Sequence, residues 1–132
     1  MCKRYNLTQV RYKRAGKIIE YFRVEVNRKV SYYTEYQEIG DGYAKVMKNG
    51  KWGIITPDGN IWGKMEFSKI GNRFCENFVK VYKNNKVGFA DKETGRFIEC
   101  IYESAEDFAL STAKVQYKGR VRTINALGQF VD

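Results

Sequence analysis

The sequence predicts an all-β fold of tandem antiparallel β-hairpins, forming a curved sheet, an open barrel or a short solenoid. Three observations carry this. A short pattern recurs as Ala44-Lys45-Val46, Val79-Lys80-Val81 and Ala113-Lys114-Val115, at intervals of 35 and 34 residues. Each copy is followed by a turn residue (Gly50, Asn85, Gly119), an apolar residue (Trp52, Val87, Val121) and a second glycine (Gly59, Gly95, Gly128). The segments between turns are short and rich in Val, Ile, Tyr and Phe, which favour strands. A fixed period of this size means one supersecondary unit used several times.

Each unit reads as strand, tight turn, strand, turn, strand. In the first, Ala44–Lys48 is a strand, and Asn49-Gly50 supplies the positive-φ pair of a two-residue hairpin turn. Trp52–Thr56 returns antiparallel, and Pro57-Asp58-Gly59-Asn60 turns again. The second unit turns at Asn84-Asn85 and Lys92–Gly95, the third at Lys118-Gly119 and Ala126–Gly128. Ahead of each hairpin stands an aromatic residue with an apolar one six or seven positions on: Tyr33 and Ile39, Phe67 and Phe74, Tyr102 and Phe108. Val46, Trp52, Ile54, Val81, Val87, Phe89, Val115 and Val121 are the expected core.

Upstream, Val10-Arg11-Tyr12-Lys13 alternates, Ala15-Gly16 suits a turn, and Ile18 to Val26 is a longer alternating run. Alternation places Arg11 and Lys13 on one side and Val10 and Tyr12 on the other, a cationic face over an apolar one. Val10 lies 36 residues before Val46, so residues 8–32 read as a candidate degenerate copy of the unit. An amphipathic helix over residues 17–27 is the rival reading.

At Lys51-Trp52-Gly53-Ile54-Ile55 the array resembles the WG-repeat family, whose units centre on a Trp-Gly pair inside a β-hairpin. The wider pattern is also similar: Tyr43-Ala44-Lys45-Val46, Asn49-Gly50-Lys51-Trp52-Gly53 and Asp58-Gly59. The resemblance covers roughly residues 33–132. The second unit keeps Val87-Gly88 without the Trp, and the third has Val121-Arg122 in place of both signature residues. The resemblance implies an all-β array without intrinsic catalysis, and it transfers no binding residue.

A chain of 132 residues favours a single domain, divided here into a basic segment (1–32) and repeat units at 33–70, 71–105 and 106–132. Cys2-Lys3-Arg4 leads into polar sequence, so no signal peptide is expected. Cys2, Cys75 and Cys100 are an odd set without framework spacing, and free thiols in the cytoplasm are the simplest reading. A Cys75–Cys100 disulfide is the alternative.

Little in the chain can do chemistry. It has no histidine, which removes the commonest general base and metal ligand. No cysteine stands in a nucleophile motif or in a zinc spacing. Glu103, Glu106 and Asp107 are the densest acidic group and read as a solvated loop. The glycines mark turns, not a phosphate-binding pattern. The expectation is a protein that is not an enzyme, with no cofactor, no metal, no small-molecule substrate and no membrane span.

The charge is uneven. The net charge is +9, and residues 1–30 hold nine basic residues against Glu20 and Glu25, a local +7. Lys3, Arg4, Arg11, Lys13, Arg14, Lys17 and Arg23 interleave with Tyr12 and Tyr21. Cations neutralise phosphates while aromatic faces stack on unpaired bases. A second basic ladder comes from equivalent repeat positions: Lys45, Lys80 and Lys114, then Lys51, Lys86 and Arg120. The leading expectation is a non-enzymatic protein that binds RNA, DNA or a nucleoprotein complex through its basic N-terminal face. The alternative is a protein-interaction module that docks an acidic protein surface as a stand-alone inhibitor or accessory factor. One form would be a phage-type inhibitor of a nucleic-acid-handling defence complex.

Overall fold

The computed structural model describes residues 4–132, which are all-β, with no helix and 66% strand. The contacts group the chain into two compact units, residues 1–66 and 67–132. Each contains two open sheets whose strands follow chain order. In the first unit, β1 (Asn6–Arg14), β2 (Lys17–Val26) and β3 (Lys29–Tyr33) form one sheet. The second sheet joins β4 (Glu35–Gly40), β5 (Tyr43–Lys48), β6 (Lys51–Ile55) and β7 (Ile61–Phe67). In the second unit, β8 (Lys69–Ile70), β9 (Phe78–Lys83), β10 (Lys86–Asp91) and β11 (Phe97–Tyr102) are followed by β12 (Ser104–Ala105), β13 (Thr112–Tyr117) and β14 (Arg120–Asn125).

Left-handed two-residue turns set this architecture. Asn49-Gly50, Asn84-Asn85 and Lys118-Gly119 all have positive φ, as predicted, and so do Ala15 and Gly16. The β1–β2 pairing runs from Asn6↔Glu25 to Arg14↔Lys17, which replaces the helix considered for residues 17–27. Asp41-Gly42 is likewise a left-handed turn, and three more have no glycine to mark them in the sequence: Asn27-Arg28, Glu76-Asn77 and Leu110-Ser111. Leu110 and Ser111 are poor residues for this conformation, which costs a non-glycine residue about 1–2 kcal/mol. The Glu76 carboxylate offsets that by accepting the N–H groups of Leu110 (2.5 Å) and Ser111 (2.8 Å). Glu103 does the same for the N–H groups of Lys118 (2.8 Å) and Gly119 (2.9 Å).

A second device recurs where one sheet ends and the next begins. Tyr33, Phe67 and Tyr102 close β3, β7 and β11 and are buried to 5, 6 and 1% exposure. The next residue bends the chain, and its N–H donates to the strand before the coming hairpin turn: Thr34 to Met47 O, Ser68 to Tyr82 O and Glu103 to Gln116 O, each at 2.8 Å. Thr34 and Ser68 hydroxyls donate to the same carbonyls at 3.2 Å. These bends fall at 34, 68 and 103, within two residues of the unit limits at 32, 70 and 105.

Each unit has its own core. Val24, Tyr33, Ala44, Val46 and Ile55 pack together in the first. Phe78, Val87, Phe89, Tyr102, Phe108, Ala113, Val115 and Ile124 do so in the second, with Phe78 stacked on Phe108 at 3.8 Å between centroids. Six of the eight expected core residues are buried: Val46, Ile54, Val81, Val87, Phe89 and Val115. Trp52 is half-buried. Val121 is a correction, being 65% exposed. Its counterpart Val87 is covered because Tyr102 of β11 pairs opposite it, and among the described residues no such strand runs beyond β14 at that point. Cys75 and Cys100 are free thiols, which excludes the alternative disulfide; Cys2 lies outside the described residues.

The glycine that follows Trp52 and Val87 also has a local cause. At Gly88 the pairing with β11 slips between Val87 and Phe89, and the β11 backbone crosses the position. An added Cβ would lie 2.7 Å from the Glu99 carbonyl carbon and 2.8 Å from the Cys100 nitrogen. At Gly53 it would strike the Met65 side chain, which can move. Arg122 stands at this position in the third unit, where among the described residues it meets Phe130 and Asp132 instead of a paired strand.

Two outcomes follow. Gly88→Ala lowers unfolding stability by about 1–3 kcal/mol or more, and Gly53→Ala by less, as read from urea denaturation. For Glu103, the backbone N–H groups of Gly119 and then Lys118 hold its pKa below the ordinary carboxylate value. Its contribution is therefore present above the unfolded carboxylate pKa and is lost as pH falls through the lowered folded value. Glu103→Gln unfolds at lower urea than wild type at neutral pH, and the gap closes as the solution is acidified past the carboxylate range.

Candidate nucleic-acid interface

The β1–β2 hairpin is longer than the strand that supports it. β3 pairs only with Phe22–Val26, whereas β1 and β2 continue from Val10↔Tyr21 to Arg14↔Lys17. The overhang is a two-stranded ribbon about 17 Å long at ~3.4 Å per residue. Residues 11–18 are all exposed. Residues 11–20 contain Arg11, Lys13, Arg14 and Lys17 against Glu20, a local +3. Glu20 accepts a hydrogen bond from the Gln9 side-chain amide.

Register assigns each side chain to a face. Directly opposite residues share a face, so one face carries Gln9 and Phe22, Arg11 and Glu20, Lys13 and Ile18. Toward the base this face becomes core at Val24 and Tyr33. Phe22 stacks on Tyr36 at 5.8 Å, and the Tyr36 and Tyr5 hydroxyls are hydrogen bonded at 2.5 Å. Burial first, then this bond, pushes the Tyr5 pKa up.

The other face is the solvent face. It carries Arg14 and Lys17 at the tip, then Tyr12 and Ile19, Val10 and Tyr21, and Thr8 and Arg23 with Tyr32. Tyr12, Tyr21 and Tyr32 form a diagonal across β1, β2 and β3, with edge-on centroid separations of 6.3 and 5.5 Å. Tyr12 is 43% and Tyr32 49% exposed. Hydrogen bonds that Arg23 donates to Tyr32 and then to Glu25 raise its pKa above the ordinary value, and Arg23 Nη1 lies 3.3 Å from Glu25 Oε1. Past the Asn6–Glu25 pair at the base of this face, Arg4, Asn6, Glu25, Asn27 and Arg28, with Tyr5 and Val26 from the other side, line a groove of about 330 Å³. Arg4 reaches Asp58 at 3.4 Å, an exposed and weak pair.

The expected cationic face over an apolar one is corrected in one respect. Arg14 and Lys17 lie on the face of Tyr12, so both sides of the tip carry cations. Lys3 lies outside the described residues. Arg28 belongs to the nine basic residues counted in the sequence, whereas Tyr32 is not apparent there, because only the Asn27-Arg28 turn brings it opposite Arg23.

The basic ladder does not present like cations at like positions. Lys45 is only 7% exposed, with its Nζ 5.2 Å from the centre of the Trp52 ring. Lys80 pairs with Asp107 at 3.3 Å and donates to the Ala105 carbonyl at 3.3 Å. Lys51, Lys114 and Arg120 are exposed and Lys86 half-exposed. The acidic group is likewise divided, Glu103 holding a turn and Asp107 holding Lys80. Burial, then Asp107, raises the Cys75 pKa. Among the described residues no cluster has the makings of a metal site.

No protein-family model matches the chain, and comparisons with curated proteins and with solved structures also find no match.

Because residues 11–18 touch little else, the ribbon is separable from the fold. Excising residues 11–20 and joining Val10 to Tyr21 through Asn-Gly leaves the β-type circular dichroism spectrum intact. The thermal midpoint moves by less than about 4 °C.

Proposed function

We propose that this protein is a non-enzymatic nucleic-acid-binding protein and that the β1–β2 ribbon is its binding element. The observation that carries the reading is the projecting ribbon itself: four exposed cations within eight residues, with exposed tyrosine between them. None of Arg11, Lys13, Arg14 or Lys17 makes an ion pair with a described residue. A fold needs no such concentration of unpaired charge, and solubility is served better by mixed signs. Released counterions drive association with a polyanion, and the exposed tyrosines add contacts that simple charge neutralisation does not require. The packed core of the first unit, at Val24, Tyr33, Ala44, Val46 and Ile55, anchors the base of the ribbon, and the Trp-Gly and Val-Gly steps of the repeats fit a WG-like array.

The test is a salt titration. With four phosphates neutralised, log K falls with log salt at a slope of roughly −3 to −4. Replacing Arg11, Lys13, Arg14 and Lys17 with Glu abolishes binding in fluorescence anisotropy while the circular dichroism spectrum is kept. Undiminished binding by that variant would remove the ribbon from the interface.

A further inference from the structure

Resting on the reading just given, we infer that the ligand is an unpaired polynucleotide strand lying along one face of the β1–β3 sheet, the solvent face that carries the tyrosine diagonal. Two kinds of group are set out along it. Cations stand at both ends: Arg14 and Lys17 at the tip, Arg28 in the groove at the base. Between them run Tyr12, Tyr21 and Tyr32, with Tyr12 and Tyr32 nearly half exposed.

This order matches what a single strand offers. Its phosphates are anchored by charge and its free bases stack on aromatic side chains. Paired bases are already stacked on each other and hide their faces, so a duplex uses the cations and leaves the tyrosines idle. From Arg14 to Asn6 the face is about 27 Å long at ~3.4 Å per residue, enough for a strand of several nucleotides. The groove beyond Asn6 extends the path to Arg28. Glu25 lies in that groove, with its charge engaged by Arg23. The opposite face has no such path, because below Arg11 and Lys13 it turns into the packed contact of Phe22 with Tyr36 and then into core.

The inference therefore makes the two faces unequal although both carry cations. Arg14 and Lys17 contact the strand, while Arg11 and Lys13 contribute only general attraction.

The experiment measures affinity for oligothymidylate, oligouridylate and a mixed-sequence DNA duplex, each of roughly 16 nucleotides per strand. Wild type binds the unpaired oligomers at least about 10-fold more tightly than the duplex. Tyr12→Ala with Tyr32→Ala weakens unpaired binding by about 10-fold or more and leaves duplex binding nearly unchanged. Tyr12→Phe with Tyr32→Phe keeps the rings and retains affinity, which separates lost stacking from lost folding. Arg14→Ala with Lys17→Ala costs more than Arg11→Ala with Lys13→Ala. Comparing the thymidylate and uridylate arms tells DNA from RNA. Equal affinity for duplex and single strand, or no loss on removing the tyrosine rings, overturns the inference while leaving nucleic-acid binding in place. No binding to any of the three overturns both.

Discussion

The chain's geometry depends on one joint. At Tyr33, Phe67 and Tyr102 a buried ring ends a strand, and the next residue's N–H is fastened to a carbonyl 13 or 14 residues ahead. The ring buries apolar area, while the hydrogen bond fixes where the next hairpin starts. A strand closed this way cannot lengthen without pulling its aromatic out of the core. Each sheet thus stops at a set residue, and the following hairpin turn falls at a set distance from it.

The ribbon is a product of that same restriction. β3 must end at Tyr33, so it supports β2 only as far as Phe22. The β1–β2 turn lies at Ala15-Gly16, well beyond that point, and the excess becomes a free arm. Its side chains need not satisfy a core, which is why cations and half-exposed tyrosines are tolerated there. The repeats show the opposite outcome for the same residue type. Lys45 sits inside a supported strand, so its ammonium is spent on the Trp52 ring.

The hairpins were legible because their signals are local. Asn49-Gly50 and Lys118-Gly119 carry turn chemistry in adjacent residues, and a 34–35-residue period repeats it. Leu110-Ser111 was not legible, since its left-handed conformation is held by Glu76, which lies 34 residues upstream of Leu110. The charge of the arm was visible in composition, but its projection was not, because strand length alone does not reveal where a third strand stops. The exposure of Val121 was hidden for a related reason. A periodic pattern shows which positions are equivalent but not whether each copy has a strand paired opposite it, as Tyr102 is opposite Val87.

The exposure of Val121 has a dynamic side. In a stacked array each unit borrows stability from the next, and local opening is cheapest where nothing is borrowed. Beside Val121, β14 is held by β13 on one side and by the short Phe130–Asp132 segment near its far end on the other. Amide protection is therefore graded within the second unit, deep at Val87 and Phe89 and shallow at Arg120 and Val121. Among the described residues, transient opening of this unit begins at the Arg120–Val121 end of β14.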